Sequence, residues 1–315
     1  MKKIKLGYIG SGPISSFHVS ALKYAGFEII SFFSRNYIKA CKFSQVNKIK
    51  LPEKSFNDFL IKSDQVDAFI ISVKTDFVLK YLKDLCKIKK PIFVEKPGSL
   101  NSLDLKKIKE KSNTKIFFLY NRRFYSSILE GKKFIDFSKQ CFLSVKIPDT
   151  TKTLKNFISN GCHIIDILFF YFKDLKVLKS YKLRKKIGYY FLLQSKNHDM
   201  ISCLLNWGSP QNFEINICNE KYQRLEIKPL EASFLFHKMK PINPTKKIPF
   251  RSYIPKLINK KSAIHHGKKF KPGFLEQYLE IKKIIKYNKK NHKLCNLDNA
   301  IKVLNLIETI IKKSK

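Results

Sequence analysis

A glycine-rich run near the start of the sequence has the spacing of a phosphate-binding turn. Gly10-Ser11-Gly12-Pro13-Ile14 follows a short apolar segment and precedes a segment with helical spacing. Gly10 permits a tight turn, and Gly12 lets backbone N–H groups at a helix N-terminus approach a pyrophosphate. Ser15 replaces the third glycine of the G-x-G-x-x-G pattern and is small enough for helix and strand to pack. The run predicts a dinucleotide site, with an ordinary strand-to-helix turn as the alternative.

The end of the second predicted strand carries the residues that would meet the adenosine ribose. Rossmann domains that bind NAD commonly have an acidic residue here, and this chain has Ser34-Arg35 instead. A hydroxyl and a guanidinium suit a 2′-phosphate, which favours NADP over NAD. The alternative is that Arg35 stacks on adenine and that NAD also binds, so both cofactors stay open.

The elements that position these residues alternate between strand and helix in the first part of the chain. Apolar runs predict strands over 5–9, 27–33, 66–73, 91–94 and 115–120, with helical segments between them. This alternation indicates right-handed βαβ units and a parallel sheet over residues 1–122.

The pattern changes after residue 122. Short strand-like runs at 189–194, 200–207, 213–218, 224–228 and 232–236, joined by polar turns, predict an antiparallel sheet. Helices are predicted at 161–172, 274–286 and 297–312, and residues 238–271 are expected to form a long surface excursion. The sequence therefore predicts an α/β protein with a dinucleotide-binding domain at 1–122 and a substrate-binding and oligomerisation domain at 123–315.

Several motifs together resemble the glucose–fructose oxidoreductase and inositol dehydrogenase family, written Gfo/Idh/MocA. The resembling runs cover almost the whole chain: Gly10-Ser11-Gly12-Pro13-Ile14, His18, Ile71-Ser72-Val73-Lys74-Thr75-Asp76, Glu95-Lys96-Pro97, Asn121-Arg122-Arg123-Phe124, Gly161-Cys162-His163-Ile164-Ile165-Asp166 and Lys271-Pro272-Gly273-Phe274. The resemblance implies a Rossmann domain followed by a domain with a large, open, mostly antiparallel sheet. It also implies reversible oxidation of a sugar, cyclitol or nucleotide-sugar hydroxyl, in a homodimer or homotetramer.

The resemblance assigns roles to individual residues. Lys96 and His163 are the expected catalytic residues, because oxidation of an alcohol needs a base for the hydroxyl proton. Substrate binding is expected at Arg122, Ser159 and His163. Pro97 allows a cis peptide bond that aims Lys96. Contacts to the cofactor are expected from Gly10, Gly12, Pro13, Ile14, Ser34, Arg35, Ser72, Thr75, Glu95 and Lys96.

One position departs from the family pattern. Dehydrogenases of this family commonly carry Asp four residues before the active-site His, and this chain has Ser159. A hydroxyl can hydrogen-bond but holds no charge. Three interpretations stay open: proton transfer by Lys96 and His163 alone, a different substrate, or a catalytically degenerate protein that binds cofactor as a sensor or partner.

Charge and composition exclude several other classes of protein. The chain has 63 Lys+Arg against 24 Asp+Glu, for a net charge of +39, but only six of the basic residues are Arg and the Lys are dispersed. This distribution argues against a nucleic-acid partner. No apolar run is long enough for a signal peptide or a membrane span, so we expect a cytoplasmic protein with no membrane partner. The odd number of cysteines, without a CxxC pair, predicts no metal site, and His265-His266 has no nearby acidic or Cys partner.

Overall fold

The computed structural model describes residues 3–149, 153–184, 187–262, 270–287 and 293–314. These residues form two compact units. The first comprises the described parts of Met1–Phe124, Ile158–Asp166 and His265–Glu308, and the second those of Tyr125–Phe157, Ile167–Ile264 and Thr309–Lys315. The first change of unit, after Phe124, lies close to the predicted boundary at 122, and two later segments of the chain join the first unit.

The first unit contains a six-stranded sheet in the order β14-β5-β4-β3-β1-β2. Five of its strands are parallel, and the short β14 pairs antiparallel to β5. The strands are β1 Ile4–Ile9, β2 Phe27–Phe33, β3 Ala68–Ile71, β4 Ile92–Val94, β5 Ile116–Phe118 and β14 Cys295–Asn296. The parallel Rossmann-type sheet predicted from the sequence is confirmed. Its nearly continuous apolar strands, such as Ala68–Ile71, are buried along their full length, as expected for parallel strands covered by helices.

Helices flank and follow these strands. Their bounds are α1 Pro13–Tyr24, α2 Tyr37–Asn47, α3 Phe56–Ile61, α4 Thr75–Cys86, α5 Ser102–Lys111, α6 Ser126–Asp136, α7 Leu154–Asn156, α8 Cys162–Phe172, α9 Phe274–Tyr287 and α10 Leu297–Lys313. Local sequence explains several starts: Asn36 and Asn101 cap α2 and α5, and Ser55 forms a capping box with Asp58 at α3. Short 3-10 helices cover Lys62–Gln65 and Asn121–Phe124.

The second unit contains an eight-stranded sheet in the order β13-β12-β11-β10-β6-β9-β8-β7. Its strands are β6 Cys141–Asp149, β7 Leu175–Lys182, β8 Gly188–Ser195, β9 Met200–Trp207, β10 Glu214–Asn219, β11 Gln223–Ile227, β12 Ala232–Ile242 and β13 Ser252–Ser262. All neighbouring pairs are antiparallel except β6 with β9. The predicted large, mostly antiparallel sheet is thus confirmed.

The prediction omitted β6 and β7. In β6, Cys141, Leu143, Val145 and Ile147 alternate with more exposed residues, which is the period-2 pattern of a half-buried strand. That signal was available in the sequence, and it marks a strand in the interior of the sheet rather than a connection.

The segment 238–271, predicted as a surface excursion, is largely exposed over its described part 238–262, but it contains strand residues that the prediction did not include. β12 continues to Ile242, and β13 covers Ser252–Ser262, so the segment forms a long hairpin. Lys and Pro residues made this region resemble a loop, but Pro is compatible with an edge strand, and β13 is the edge of the sheet. Residues 263–269 lie outside the described residues.

None of the helices in the described ranges is both long enough and apolar enough to cross a membrane.

Candidate functional site

The turn between β1 and α1 requires glycine at one position. Gly10 has φ +122°, and a Cβ there would lie 2.0 Å from the carbonyl oxygen of Ser72. An L-amino acid with a side chain is therefore excluded by both backbone conformation and space. The Gly10 N–H donates to the carbonyl oxygen of Phe33 at 2.9 Å, which ties the turn to the end of β2.

The N-terminus of α1 is open for a ligand. Gly12 is the N-cap residue and makes no side-chain capping bond, and a Cβ on Gly12 would meet no atom of the described residues within 4 Å. Pro13 stands at the helix start, where its missing N–H costs nothing. Unsatisfied N–H groups at such a helix end favour an anion, as the sequence predicts for a pyrophosphate.

Hydroxyl groups surround the same turn. Ser15 is fully buried, and its Oγ lies 3.1 Å from the Oγ of Ser72, so a small residue allows α1 and the end of β3 to approach closely. The Oγ atoms of Ser11 and Ser34 lie 2.8 Å apart. The structure therefore brings Ser34 and Ser72, both predicted to contact the cofactor, to the glycine turn.

Arg35 lies flat against an aromatic ring. Its guanidinium carbon is 3.4 Å from the centroid of Phe77, a residue of α4, the helix that begins at Thr75. A guanidinium plane held on one face by a ring keeps its N–H edges available to a phosphate and its other face available to an adenine. The geometry is compatible with both interpretations of Arg35.

Glu95, which follows β4, belongs to a hydrogen-bond chain that connects it to α1 and α9. The carboxylate can only accept, so His18 Nε2 donates to Glu95 Oε2 at 3.0 Å. The other ring nitrogen of His18 lies 2.6 Å from the hydroxyl of Tyr278 in α9. His18 and Tyr278 are both buried. This chain fixes the residue immediately before Lys96 to α1 and α9.

Lys96 is held in place by a backbone carbonyl. Its Nζ donates to the carbonyl oxygen of Ser159 at 2.8 Å. The Lys96–Pro97 peptide bond is cis. The sequence pattern pointed to the side chain of residue 159 as the partner in this cluster, whereas here the main chain of Ser159 contacts the ammonium group.

A π-helical turn precedes His163. Residues Phe157–Gly161 form a π-helix between α7 and α8. Such turns are rare and are frequent at functional sites, because they widen the helix and redirect carbonyl groups. The simple expectation that residues 159 and 163 stack on one face of an α-helix does not hold through this turn.

His163 has the environment of a neutral base. It is buried, and its Nδ1 has no hydrogen-bond partner among the described residues. Burial, followed by the positive charges of Lys96 and Arg122, lowers the pKa of His163 well below its ordinary value. The ring of Tyr120 packs against the imidazole edge-on, with centroids 5.7 Å apart. The imidazole is therefore uncharged at neutral pH.

The two adjacent arginines differ completely in their surroundings. Arg123 is buried and forms a bidentate pair with Asp166, in which Nε and Nη2 each donate to a carboxylate oxygen at 2.6 Å. Burial lowers the pKa of Arg123, but the Asp166 carboxylate outweighs it, and the net pKa is raised. Asp166 therefore has a structural role as the partner of Arg123. Arg122 is only partly buried, and its charge acts on His163.

Sequence reasoning missed three features of this cluster. It gave His18 no role and did not include Tyr278, although a His in a predicted core helix is a signal that a buried polar partner is needed. It also gave no sign of the π-helix. Among the described residues there is no group of three metal-ligating side chains, and His265-His266 lies outside them.

The comparison with known families agrees with this geometry. Residues 4–118 match the family model described as the oxidoreductase family with an NAD-binding Rossmann fold, GFO_IDH_MocA. This part of the chain is therefore similar to the Gfo/Idh/MocA oxidoreductase family. Every residue of the glycine turn and the Glu95-Lys96-Pro97 run lies inside the matched range.

A curated relative and two solved structures are similar to the chain. Myo-inositol 2-dehydrogenase of Thermotoga maritima is 27% identical over 138 residues, which cover 42% of this chain and only 41% of that protein. The WlbA dehydrogenase of Bordetella pertussis, solved with NADH and UDP-GlcNAcA, has a TM-score of 0.74 at 16% identity, covering 99% and 97% of the two chains. Gal80p of Saccharomyces cerevisiae, solved as a super-repressor mutant, has a TM-score of 0.75 at 15% identity, covering 99% and 96%. At such identities the two structures establish the fold alone.

Proposed function

We propose that the chain is an NAD(P)-dependent oxidoreductase that transfers a hydride between the nicotinamide and a secondary hydroxyl or ketone of a sugar, cyclitol or nucleotide sugar. One observation carries the proposal: a neutral, buried His163 with an unpartnered Nδ1 among the described residues lies within the electrostatic influence of Lys96 and Arg122. A neutral base beside cations is the pairing that alcohol oxidation requires.

The residues at the β1–α1 turn fit a dinucleotide. Gly10 keeps the backbone turn tight, and the space above Gly12 is open to a pyrophosphate at the N-terminus of α1. When bound, the nicotinamide ring accepts or supplies the hydride. Ser34 and Arg35 are the residues that would hold the ribose end, and their chemistry favours NADP over NAD.

Proton transfer is assigned to the chain's own residues. In the oxidation direction, the substrate hydroxyl gives its proton to the unprotonated ring nitrogen of the neutral His163 imidazole. The Lys96 ammonium group stabilises the negative charge that develops on the oxygen as the carbonyl forms. In reduction, the same groups work in reverse, with protonated His163 returning the proton. Arg122 is the candidate for binding an anionic part of the substrate.

Lys96 needs support to act in this way, because a long flexible side chain otherwise samples many rotamers. The Ser159 carbonyl fixes its Nζ, and the Glu95–His18–Tyr278 chain fixes the preceding residue. The function of residue 159 in this proposal rests on its main chain. Ser159 in place of Asp is therefore compatible with turnover.

The roles of the two domains, the oligomeric state and the substrate class are also part of the proposal. Residues 1–122 are proposed as the cofactor domain and residues 123–315 as the substrate-binding and oligomerisation domain of a homodimer or homotetramer. The substrate classes follow the names of the similar proteins, which include an inositol dehydrogenase and a dehydrogenase solved with a nucleotide sugar.

A second candidate function is a cofactor-binding protein without turnover. The lack of a carboxylate at Ser159 favours it, and a solved super-repressor protein has a similar fold. Ser159→Asp separates the two. In an active enzyme whose residue 159 acts through its carbonyl, the new carboxylate changes turnover only modestly. If the protein instead lacks turnover because residue 159 is not a carboxylate, Ser159→Asp should produce measurable substrate oxidation.

The proposal is tested by titrating the purified chain with NADH and NADPH and following nicotinamide fluorescence, then adding sugars and nucleotide sugars. We expect micromolar binding of at least one cofactor, tighter for NADPH, and a signal change or turnover with a member of the panel. Failure of both cofactors to bind would remove the proposal.

A further inference from the structure

The far end of the β12–β13 hairpin projects as a two-stranded ribbon. β11 pairs with β12 only over Ser233–His237. Beyond this point, within the described residues, the strand pairs with β13 alone. We call the segment from Lys238 to Leu257 the distal hairpin. Its residues are exposed almost without exception, on both faces.

One face of the distal hairpin carries apolar residues. The cross-strand pairs Met239↔Pro255 and Pro241↔Tyr253 share this face, since side chains alternate along a strand and paired residues point the same way. Leu257 follows on the same side. Met239, Tyr253 and Leu257 are each at least half exposed. No charged residue interrupts this row.

The opposite face mixes apolar and basic residues. Its cross-strand pairs are Lys240↔Ile254 and Ile242↔Ser252, and Lys256 follows Ile254 on the same side. Ile242 and Ile254 are exposed. The ribbon is therefore amphipathic, with lysines confined to one face of its stem.

The tip of the hairpin combines exposed apolar side chains with cations. Ile248 is 51% exposed and Phe250 is 65% exposed. Lys246, Lys247 and Arg251 flank them. More than half of each of these two apolar side chains is therefore exposed to water.

Charge on this segment is of one sign. Residues 232–262 contain no Asp or Glu, and their eight basic residues are Lys238, Lys240, Lys246, Lys247, Arg251, Lys256, Lys260 and Lys261. Lys261 pairs with Glu130 near the base of the hairpin. Among the described residues, none of the six cations of the distal hairpin has a carboxylate partner. The segment thus offers uncompensated positive charge beside exposed apolar area.

We propose that the distal hairpin docks on an anionic lipid surface, with its apolar face and tip entering the interfacial region and its lysines contacting headgroup phosphates. Basic residues around an exposed apolar patch are the combination that binds such interfaces. The expectation of no membrane partner rested on the lack of a spanning segment and on the dispersal of lysines along the whole chain. The distal hairpin differs from the rest of the chain because its basic residues lie beside exposed apolar side chains.

The observations disfavour a second copy of the chain as the occupant. An approaching copy would bring the same uncompensated charge. Edge-to-edge pairing with β13 is hindered by Pro255 and by edge lysines. The five side chains of the apolar face are also far fewer than the roughly 20 residues per side of a standard interface. A soluble acidic polymer would satisfy the lysines but leave the apolar face in water.

The test places a fluorescent reporter at the tip. Trp207 is the chain's single Trp, so Phe250→Trp is made in a Trp207→Phe background and mixed with vesicles of phosphatidylglycerol and phosphatidylcholine. We expect blue-shifted emission, absent with phosphatidylcholine alone and absent with soluble polyglutamate. The matched control, Phe137→Trp in the same background, reports on another exposed aromatic position of the same unit and should not shift.

Vesicle co-sedimentation gives an independent reading that does not need the Trp207→Phe background. Replacing Lys246 and Lys247 by Gln should weaken binding roughly 5-fold per lysine, whereas the same change at exposed Lys179 and Lys182 should have a much smaller effect. Phe250→Ser, which leaves charge unchanged, should also weaken binding. Equal shifts at positions 250 and 137, a shift produced by polyglutamate, or a shift that appears on concentrating the protein without lipid would each overturn the proposal.

Discussion

The glycine turn and the Lys96–His163 cluster both belong to the first unit, yet they are built in opposite ways. At the turn, the proposed cofactor site depends on missing side chains: Gly10 has no room for a Cβ, and Gly12 leaves the helix N-terminus open. In the cluster, the proposed catalytic site depends on side chains with unusual surroundings, above all a buried His163 close enough to two cations for their charges to lower its pKa.

The two sites therefore depend on different features of the sequence. The turn is encoded within a run of a few consecutive residues, because backbone conformation is a local property. The cluster needs Lys96, Arg122, Ser159 and His163 to meet from distant parts of the sequence. Ser159 lies in a π-helix and accepts from Lys96 through its carbonyl oxygen. If the two sites are independent, a substitution in one should leave the property that depends on the other unchanged.

Lys96→Met should separate chemistry from binding most strongly. We expect turnover to fall by roughly 10²–10³-fold, the usual effect of removing a group that stabilises negative charge developing in the transition state. Cofactor affinity should change little, because the glycine turn is untouched. Loss of the nearby positive charge should also raise the pKa of His163, which NMR titration of the imidazole can follow. Unchanged turnover would remove Lys96 from the mechanism.

Gly10→Ala and Gly12→Ala make the same chemical change in two different spaces. The first must displace the Ser72 carbonyl and adopt a strained backbone, so we expect destabilisation by about 3 kcal/mol and loss of cofactor binding. The second should leave the free energy of unfolding almost unchanged and weaken only cofactor binding. Denaturant unfolding measures the stability of each variant, and fluorescence titration measures its cofactor affinity. Equal stabilities for the two variants would contradict the geometry of the turn.

The lowered pKa of His163 predicts a pH dependence of stability. The unfolded chain binds the His163 proton as the pH falls below about 6.5, whereas the folded chain resists it. Its contribution to stability is therefore intact above that pH. Below that pH the contribution of His163 to stability declines by at most about 1.4 kcal/mol per pH unit, until the pH reaches the pKa of His163 in the folded chain. His163→Gln should remove this part of the slope. The free energy of unfolding of the unsubstituted chain and of His163→Gln is measured between neutral and mildly acidic pH. The same pH dependence in both proteins would argue against a buried, neutral imidazole.

Arg35→Ala should have the smallest effect, and it should distinguish a contact with a 2′-phosphate from stacking on adenine. If Arg35 holds a 2′-phosphate, NADPH affinity falls about tenfold and NADH affinity is nearly constant. If Arg35 only stacks on adenine, both affinities fall together. If the substitution removes only the contact with Phe77, we expect a small change in stability and no change in the ratio of NADPH affinity to NADH affinity.

Particular residues explain how far the sequence could predict this structure. The parallel sheet, the cap at Ser55 and the glycine turn follow from local patterns. β6 was readable from its alternation, but β13 was not, because Lys and Pro tolerated on an edge strand are also typical of loops. The Glu95–His18–Tyr278 chain joins residues far apart in sequence, so no local pattern reveals it. The role of Ser159 through its carbonyl depends on the π-helix, which the sequence did not indicate.

The most direct test of the central claim is a turnover assay in which the chain, with oxidised cofactor bound, is incubated with a pool of sugars, cyclitols and nucleotide sugars. Reduced nicotinamide is followed by absorbance, and each compound is analysed by mass spectrometry. The account predicts that one compound loses two hydrogen atoms in equal amount to the reduced cofactor formed, and that Lys96→Met, with cofactor still bound, does not carry out this reaction. Tight cofactor binding with no change in any compound, for both proteins, would contradict it and favour the cofactor-binding protein without turnover.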